Sequence, residues 1–296
     1  MKNIILITTF LFLTLTPLFS DVRQDIEELF VITSNNDYNN RPFEKETSDK
    51  ISTYGETAAQ VLTMFLYTED ARYRKRILDM YEILGSRATA SILPLLGKGK
   101  LIQQVLTILA LGETRDTNAL PVLHTLLSDT NWRIRNTALM SLAKIHSRDS
   151  VSYIIPLLRD SNRYIRKSAS YALGEINDSN SIKMLLELLD DTDYPPRFAA
   201  IRSLAKMDTY TVSYICDDKN YLKFKDKPIF YLLLTTLHNL GGMKEFLLSE
   251  LENASPLIRG YAYSVLNKIS TKDETIGLLN GDTDPWVRYY IRKKSQ

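Results

Sequence analysis

The chain has 296 residues, of which 44% are hydrophobic and 24% charged, and this composition argues against long-range disorder. Lysine and arginine total 37 against 35 aspartates and glutamates, so the formal charge of +2 supplies no broad basic field for non-specific nucleic-acid binding. The single cysteine, Cys216, excludes an internal disulfide and a cysteine-based zinc site, and three histidines leave little for a histidine-rich metal site.

The first predicted element is a secretory signal peptide over residues 1–20. Lys2 gives a positive start, the apolar run Ile4–Leu15 follows, and Ser20 is a small residue ahead of Asp21, where the charged chain begins. Because the run is shorter than the roughly 20 residues of a membrane span, we expect cleavage, with an uncleaved anchor as the alternative. The sequence therefore predicts export, to the periplasm or cell envelope of a bacterial source, with no membrane span after cleavage.

Residues 21–55 are expected to form a cap ahead of a repeat array at 56–296. The pattern of Val22–Ile32 is typical of a helix. The polar, asparagine-rich Ser34–Asp49 predicts a loop or flexible cap. Tyr54–Leu66 then predicts a helix that completes the first helix pair.

A motif that starts with aspartate and reaches arginine six residues later occurs four times. The pairs are Asp129 with Arg135, Asp160 with Arg166, Asp191 with Arg197, and Asp282 with Arg288. The first three copies are 31 residues apart, and Arg259 lies two such steps beyond Arg197. A leucine followed by a small residue recurs as a second landmark, at Leu84-Gly85, Leu111-Gly112, Leu142-Ala143, Leu173-Gly174, Leu204-Ala205 and Leu240-Gly241. Identical steps with matching residues in several columns indicate internal repeats.

Each repeat is predicted to be a pair of helices. One first helix carries apolar residues at spacings of four, four and three, namely Ile134, Ala138, Leu142 and Ile145. These spacings place them on one helix face, and the motif aspartate is well placed to cap the helix. A leucine-rich second helix follows a short turn. Since such a pair cannot bury its own apolar faces, stacked pairs predict an all-α solenoid.

The repeat resembles HEAT repeats of the phycobilisome-lyase (PBS lyase) HEAT-like type, with Leu-Gly, a Leu-rich second helix and Asp-x-x-x-x-Val/Ile-Arg-x-x-Ala. The resemblance covers roughly residues 56–296 and is strong from Leu84 to Lys206. It implies a right-handed α-α superhelix of about seven helix-pair repeats. The array is irregular at about 208–242, where the motif is missing and an enlarged loop or a distorted repeat is expected. The resemblance favours a structural role for the motif, in which the arginine braces the turn and pairs with an acidic neighbour; an anion-binding ladder is the alternative.

No pattern in the sequence indicates a catalytic or metal site. HEAT-like repeats also build deoxyhypusine hydroxylase, which uses His-Glu pairs, but a glutamate follows none of His124, His146 and His238. The acidic cluster at 190–193 lacks the other ligands of an EF-hand calcium loop. Cys216 has no CxxC partner and is expected to be buried and inert. We therefore expect no enzymatic activity and no cofactor.

Two sets of surface residues are candidates for binding a protein partner. The first is a ridge of aromatic residues at the starts of the first helices: Trp132, Tyr164, Tyr194 and Trp286. The second lies on the second helices, which HEAT solenoids generally present on a concave face: Tyr153, Arg159, Lys183 and Glu187. Exposed aromatics anchor protein partners, whereas packing against the adjacent turn is the alternative for the ridge.

The sequence thus predicts an exported, non-catalytic scaffold that binds a protein partner and no nucleic acid. One alternative is a lyase-like enzyme or another small-ligand-binding protein that uses the concave groove. A structural element of an envelope assembly is a further alternative.

Overall fold

A computed structural model of the protein describes residues 21–31, 34, 44–67, 70–270 and 282–289, leaving aside the side chains of 71, 72, 218 and 219. The predicted signal peptide at 1–20 lies outside these residues. Within them every regular element is a helix, so the all-α prediction is confirmed.

The helices are numbered in chain order. Their bounds are 21–31 (α1), Glu44–Thr53 (α2), Gly55–Leu62 (α3), Ala71–Leu84 (α4), Thr89–Ile92 (α5), Leu101–Glu113 (α6), Leu120–Leu126 (α7), Trp132–Ile145 (α8), Val151–Ile154 (α9), Arg163–Ile176 (α10), Ile182–Glu187 (α11), Tyr194–Lys206 (α12), Asp208–Cys216 (α13), Pro228–Leu234 (α14), Lys244–Ser249 (α15), Pro256–Ile269 (α16) and 285–289 (α17). Short 3₁₀ segments extend or precede them at Thr63–Tyr67, Gly85–Ala88, Leu93–Leu95, Thr117–Ala119, Arg148–Ser150, Ile155–Arg159, Ser179–Ser181, Leu188–Asp190, Asp217–Phe224, Leu240–Met243 and Glu250–Glu252.

The chain divides into two compact units, Met1–Ser150 and Val151–Gln296. In the first unit the long helix α6 packs between α4 and α8, and the short helix α7 packs on α8. In the second unit α12 packs between α10 and α14, α14 packs on α16, and the short helices α9, α11 and α15 pack on the long helices that follow them. Long and short helices alternate in each unit, so the predicted helix pairs are confirmed.

Small residues allow the long helices to approach each other closely. A Cβ atom on Gly112 of α6 would lie 2.7 Å from the Cα of Ser141 on α8, and one on Gly174 of α10 would lie 2.6 Å from the Oγ of Ser203 on α12. The Ser141 hydroxyl uses this proximity to donate a 2.8 Å hydrogen bond to the Ile108 carbonyl. Since contacts this short exclude a side chain, the glycines are required by helix packing.

The first and last pairs of the leucine landmark, Leu84-Gly85 and Leu240-Gly241, do not occupy the helix position that Leu111-Gly112 and Leu173-Gly174 occupy. Backbone φ angles of 51° to 59° follow the ends of α4, α6, α8 and α10, at Gly85, Arg115, His146 and Asn177. Gly85 therefore aligns with the helix-ending position of Arg115 and not with the packing position of Gly112. Gly241 lies in the 3₁₀ segment after Asn239, which also has a positive φ of 58°.

The loop predicted over Ser34–Asp49 is wrong from Glu44 onward, where α2 begins. One face of α2 packs on α4, and its Ser48 and Ile51 side chains are buried there. The Arg76 Nη2 of α4 donates a 2.6 Å hydrogen bond to the Ser48 hydroxyl. The sequence did not reveal this helix, because part of its buried face is polar and binds α4 through a hydrogen bond.

The irregular stretch at about 208–242 is a distorted repeat and not an enlarged loop. It contains α13, a 3₁₀ segment of eight residues and α14, whose seven residues make half the length of α10. As in the neighbouring repeats, a second helix (α13) is followed by the first helix of the next pair (α14). Here the 3₁₀ segment lengthens the connection after α13, and α14 is shorter than α12 and α16, the first helices on either side of it.

Candidate protein-binding surface

The motif aspartate closes a turn and does not cap the following helix, so that prediction is wrong by two residues. The Asp160 Oδ1 accepts a 2.7 Å hydrogen bond from the backbone N–H of Asn162. Asn162 is the N-cap of α10, and its own Oδ1 accepts from the Tyr164 N–H at 2.9 Å. Asp129 and Asn131 repeat the arrangement ahead of α8. Two successive side-chain oxygens therefore satisfy the open N–H groups at this end of the helix.

The motif arginine joins its own turn to the next repeat. Arg166 Nη1 donates to the Asp160 carbonyl at 2.8 Å, while Nε and Nη2 donate to the two carboxylate oxygens of Asp191 at 2.5 and 2.8 Å. Nη2 also donates to Asp193 at 2.8 Å. We call such an arginine, together with the carboxylate of the following repeat, a rung. Because the Arg166 and Asp191 side chains are only 12% and 5% exposed, the predicted structural role is confirmed at this rung.

The second unit contains another complete rung. Arg259 donates to the Asn253 carbonyl at 2.8 Å and to both carboxylate oxygens of Asp282 at 2.7 and 2.9 Å. These hydrogen bonds hold the pKa of Asp282 below its usual value, although burial opposes the shift. Arg135 makes the corresponding bond to its own turn at Asp129, and Arg288 makes it to Asp282.

Arg197 does not form the rung that its motif predicts. Its Nε is buried and has no hydrogen-bond partner within the described part of the chain. The sequence identified this arginine as equivalent to Arg166, and the difference comes from the distorted repeat that follows it.

The four residues of the predicted aromatic ridge do not share one surface. Tyr164 and Tyr194 are 46% and 61% exposed at the starts of the neighbouring helices α10 and α12. Trp286 is 38% exposed, but its ring also packs on Gly260, where a Cβ would lie 2.7 Å from the indole, so the packing alternative applies to it in part. Trp132 belongs to the other compact unit and is half-buried.

Two aromatic residues that the sequence interpretation missed extend the surface of Tyr164 and Tyr194. Tyr171 and Phe198 are 41% and 43% exposed, and the Phe198 ring stacks on Tyr194 at a centroid distance of 5.9 Å. Tyr171 follows Tyr164 by seven residues and Phe198 follows Tyr194 by four, spacings that keep both pairs on one helix face and could have revealed them. We call Tyr164, Tyr171, Tyr194 and Phe198 the aromatic face.

Arg163 connects the two helix starts of the aromatic face. Its guanidinium lies 5.1 Å from the centre of the Tyr164 ring, and Nη2 donates to the Tyr164 hydroxyl at 3.3 Å. Its Nη1 lies 3.6 Å from a carboxylate oxygen of Asp193, which immediately precedes Tyr194. The cation thus bridges α10 and the N-cap of α12 next to the Tyr164 ring.

The second predicted set lies on the short helices. Tyr153 is 52% exposed, and Lys183 is exposed on α11. Arg159 and Glu187 form an ion pair of 3.2 Å across an open groove of about 460 Å³. The same groove is bordered by the Arg166 rung, so its principal charged groups are paired with each other.

The described residues contain no group of three or more His, Cys, Asp or Glu residues that could hold a metal ion. His124 is half-buried, with Nε2 2.9 Å from the Ser150 hydroxyl, and burial lowers its pKa. Cys216 is half-buried, so the prediction of full burial is wrong, although burial still raises the pKa of its thiol. None of the described helices has the length and apolar character needed to cross a membrane.

Comparison with known proteins identifies the repeat. Residues 102–170 and 151–214 match the family model for HEAT repeats. The chain is similar to Kap121p, with 13% identity over 95% of this chain and 33% of that chain and a TM-score of 0.55. It is also similar to Kap121p bound to Nup53p, with 13% identity, 92% and 33% coverage and a TM-score of 0.53. The complex of CpcE and CpcF of phycocyanin lyase from Nostoc sp. PCC7120 matches with 17% identity, 75% and 94% coverage and a TM-score of 0.43.

No curated protein matches the chain in sequence. The family match confirms HEAT repeats within residues 102–214, and the likeness to Kap121p confirms the predicted fold class. The chain has an all-α solenoid fold that contains HEAT repeats.

Proposed function

We propose that the chain is an exported, non-catalytic scaffold that binds a protein partner through the aromatic face. The carrying observation is that four large aromatic side chains, between 41% and 61% exposed, lie on two helices that pack side by side. Aromatic residues are enriched among the anchors of protein interfaces because each buries a large area at little conformational cost. The HEAT-repeat fold commonly serves as a protein-interaction scaffold, which supports the same function.

The state of the groove supports the non-catalytic part of the proposal. Arg159 pairs with Glu187 there, and Arg166 pairs with Asp191. A catalytic site needs polar groups that remain available to substrate, whereas these groups satisfy each other. The alternative, a lyase-like or small-ligand-binding protein that uses the groove, predicts a small molecule retained by the purified protein. Native mass spectrometry of the protein purified from its source would detect such a ligand, and finding one would contradict the scaffold proposal.

Export is proposed from residues 1–20 alone. The test is to express the full-length chain and to measure the mass of the protein recovered from the cytosolic and envelope fractions. We expect a mature chain that begins at Asp21 in the exported fraction. An unprocessed chain found only in the cytosol would contradict export.

Affinity capture with variants tests the aromatic face. The tagged chain 21–296 would be compared with a Tyr164→Ser, Tyr194→Ser, Phe198→Ser triple variant. A matched control carries Tyr210→Ser and Leu222→Ser, which remove side chains that are 40% and 46% exposed on α13 and the following 3₁₀ segment. We expect a specific protein from the envelope fraction to bind the wild type and the control and to be lost from the triple variant.

The salt dependence of this capture distinguishes apolar from charged contacts. Because high salt screens exposed charges but leaves apolar burial intact, a partner held by the aromatic face should persist at high salt. Equal capture by the wild type, the control and the triple variant would refute binding through the aromatic face. Capture of no partner at either salt concentration would refute the scaffold proposal itself.

A further inference from the structure

The complete rungs define what surrounds a motif arginine in this fold. Arg166, on α10, donates hydrogen bonds to two acidic residues of the following repeat. These are Asp191, which begins the next turn, and Asp193, the N-cap of α12. Arg259 likewise donates to Asp282. A planar guanidinium binds a carboxylate through two parallel hydrogen bonds, so each rung is a built carboxylate site.

The distorted repeat puts basic residues at both of these positions. The Tyr231 hydroxyl donates a 2.8 Å hydrogen bond to the carbonyl of Lys225, six residues earlier, as Arg166 does to Asp160. Tyr231 therefore takes the place of the motif arginine, and Lys225 takes the place of the motif aspartate. The N-cap of α14 is Lys227, which corresponds to Asp193 at the N-cap of α12.

Arg197 consequently receives no carboxylate from the following repeat, and the Asp191 carboxylate of its own turn, which interacts with it electrostatically, is bonded to Arg166. Arg197 lies on α12, which packs on α14, but Lys225 and Lys227 occupy the positions that Asp191 and Asp193 hold in the Arg166 rung. Lys227 pairs with Asp190, whereas Lys225 is exposed. The Arg197 Nε is buried with no hydrogen-bond partner in the described residues. Burying such a donor without an acceptor is unfavourable, and because the Arg197 side chain as a whole is only half-buried, the rest of its guanidinium can meet an added carboxylate.

We propose that Arg197 and Lys225 form a socket that binds carboxylate groups of an acidic segment of a protein partner. Carboxylate is the expected ligand because the same guanidinium position receives an aspartate at Arg166 and at Arg259. The two cations of the socket add charge complementarity to an acidic segment. Arg197 follows Tyr194 by three residues and directly precedes Phe198, so the socket adjoins the aromatic face. The socket rests on the proposed function and names the chemistry of the partner.

A tripeptide that copies the internal ligand tests the socket directly. Acetyl-Asp-Thr-Asp-amide has the sequence of residues 191–193, and acetyl-Asn-Thr-Asn-amide is its uncharged control. In ¹⁵N-labelled protein, the Nε–Hε resonances of the arginine side chains would be followed during titration. The aspartate peptide is expected to shift the Arg197 resonance saturably while those of Arg166 and Arg259, which are already bonded to carboxylates, stay in place. An unchanged Arg197 resonance, or an equal shift with the asparagine peptide or with inorganic phosphate, would overturn the assignment of a carboxylate socket.

Variants at Lys225 keep the test independent of the folding of an Arg197 variant. Lys225→Asp supplies the missing carboxylate from within the chain, so it is expected to raise the melting temperature and to weaken tripeptide binding by about tenfold or more. Lys225→Asn is the matched control, which removes the cation without adding an acceptor, and it should not raise the melting temperature as much. Arg197→Gln is expected to weaken binding by about tenfold or more as well. A Lys225→Asp protein that binds the tripeptide as the wild type does would overturn the socket.

The tripeptide carries no aromatic group, so its binding is independent of the aromatic face. Failure of tripeptide binding with aromatic-face-dependent capture intact would refute only the socket. Failure of partner capture with tripeptide binding intact would refute only the proposed scaffold.

Discussion

Replacing Arg166 with alanine should destabilise the second unit strongly. The substitution removes the bonds to the Asp160 carbonyl, to Asp191 and to Asp193 at once. It also leaves the Asp191 carboxylate, whose side chain is 5% exposed, without its counter-ion. Removing one partner of a buried ion pair costs about 3–5 kcal/mol, because the remaining charge stays desolvated. For a unit of this size, such a loss corresponds to a fall in melting temperature of about 10 °C.

The measurement compares thermal and urea unfolding of the wild type with two variants, followed by circular dichroism and calorimetry. Arg159→Ala is the matched control, since it removes another arginine of an ion pair from the same unit. The side chains of that pair are 75% and 44% exposed, and an exposed pair contributes about 0–1 kcal/mol. Because repeat units can unfold separately, the transitions should be resolved by calorimetry before free energies are compared.

A double replacement tests the physical reason for the loss. If the unpaired carboxylate causes most of the destabilisation, Arg166→Ala combined with Asp191→Asn, which removes the charge but keeps an oxygen for the Asp193 N–H, should be less destabilised than Arg166→Ala alone. Equal losses for Arg166→Ala and Arg159→Ala would refute the view that the rung is a buried structural pair. A double variant less stable than the single one would show that direct bonding, not the stranded charge, dominates.

Three further predictions concern helix contacts, caps and pH. Gly174→Ala should cost about 1–3 kcal/mol, because its Cβ would lie 2.6 Å from a serine oxygen of α12; Gly241→Ala, with open space around it, is the control in urea unfolding. Asn162→Ala should cost about 1 kcal/mol through loss of the cap of α10, and Asn162→Asp should restore most of it in the same measurement. The bonds from Arg259 lower the pKa of Asp282 in the folded state, so its contribution is present above the unfolded pKa of about 3.9 and is lost as the pH falls below it. The urea midpoint of the wild type should therefore fall more steeply between pH 5 and pH 3 than that of Asp282→Asn, and parallel pH profiles would contradict this assignment.

Sequence periodicity predicted most of the fold because the repeat makes the same demands in each copy. The apolar column of Ile134, Ala138 and Leu142 is buried as expected, since a 3.6-residue period leaves one face to the neighbouring helix. The landmark failed at Gly85 because a leucine followed by glycine occurs both inside a helix, where glycine permits close packing, and at a helix end, where glycine permits a positive φ. Two physical demands can select the same dipeptide, so the pattern alone does not separate them.

The candidate surface was predictable only in part. Tyr164 and Tyr194 stood out at the starts of their helices, and both are exposed. Trp286 has the motif position of Tyr164, four residues after the aspartate, and is 38% exposed, but its ring packs on Gly260, a contact with a residue 26 positions earlier that the local pattern cannot show. The exposed fraction of such a side chain depends on which residues of the neighbouring repeat lie against it, so one repeat could not predict it. The position of the side chain on its helix depends on the local sequence and could be predicted.

The distribution of charge along the rungs separates two roles of the motif aspartate. Asp191 and Asn253 both close their turns, accepting from the N–H two residues later at 2.8 and 2.9 Å, so the turn needs an oxygen but no charge. The charge is needed by the arginine of the preceding repeat. Where Tyr231 replaces that arginine, the next motif begins with the neutral Asn253, and where Arg259 is present it begins with Asp282. At these positions a charged donor therefore faces a charged acceptor, and a neutral donor faces a neutral acceptor. The repeat that follows Arg197 departs from this rule, because Lys225 stands at its motif position, and the excess positive charge attracts an external anion.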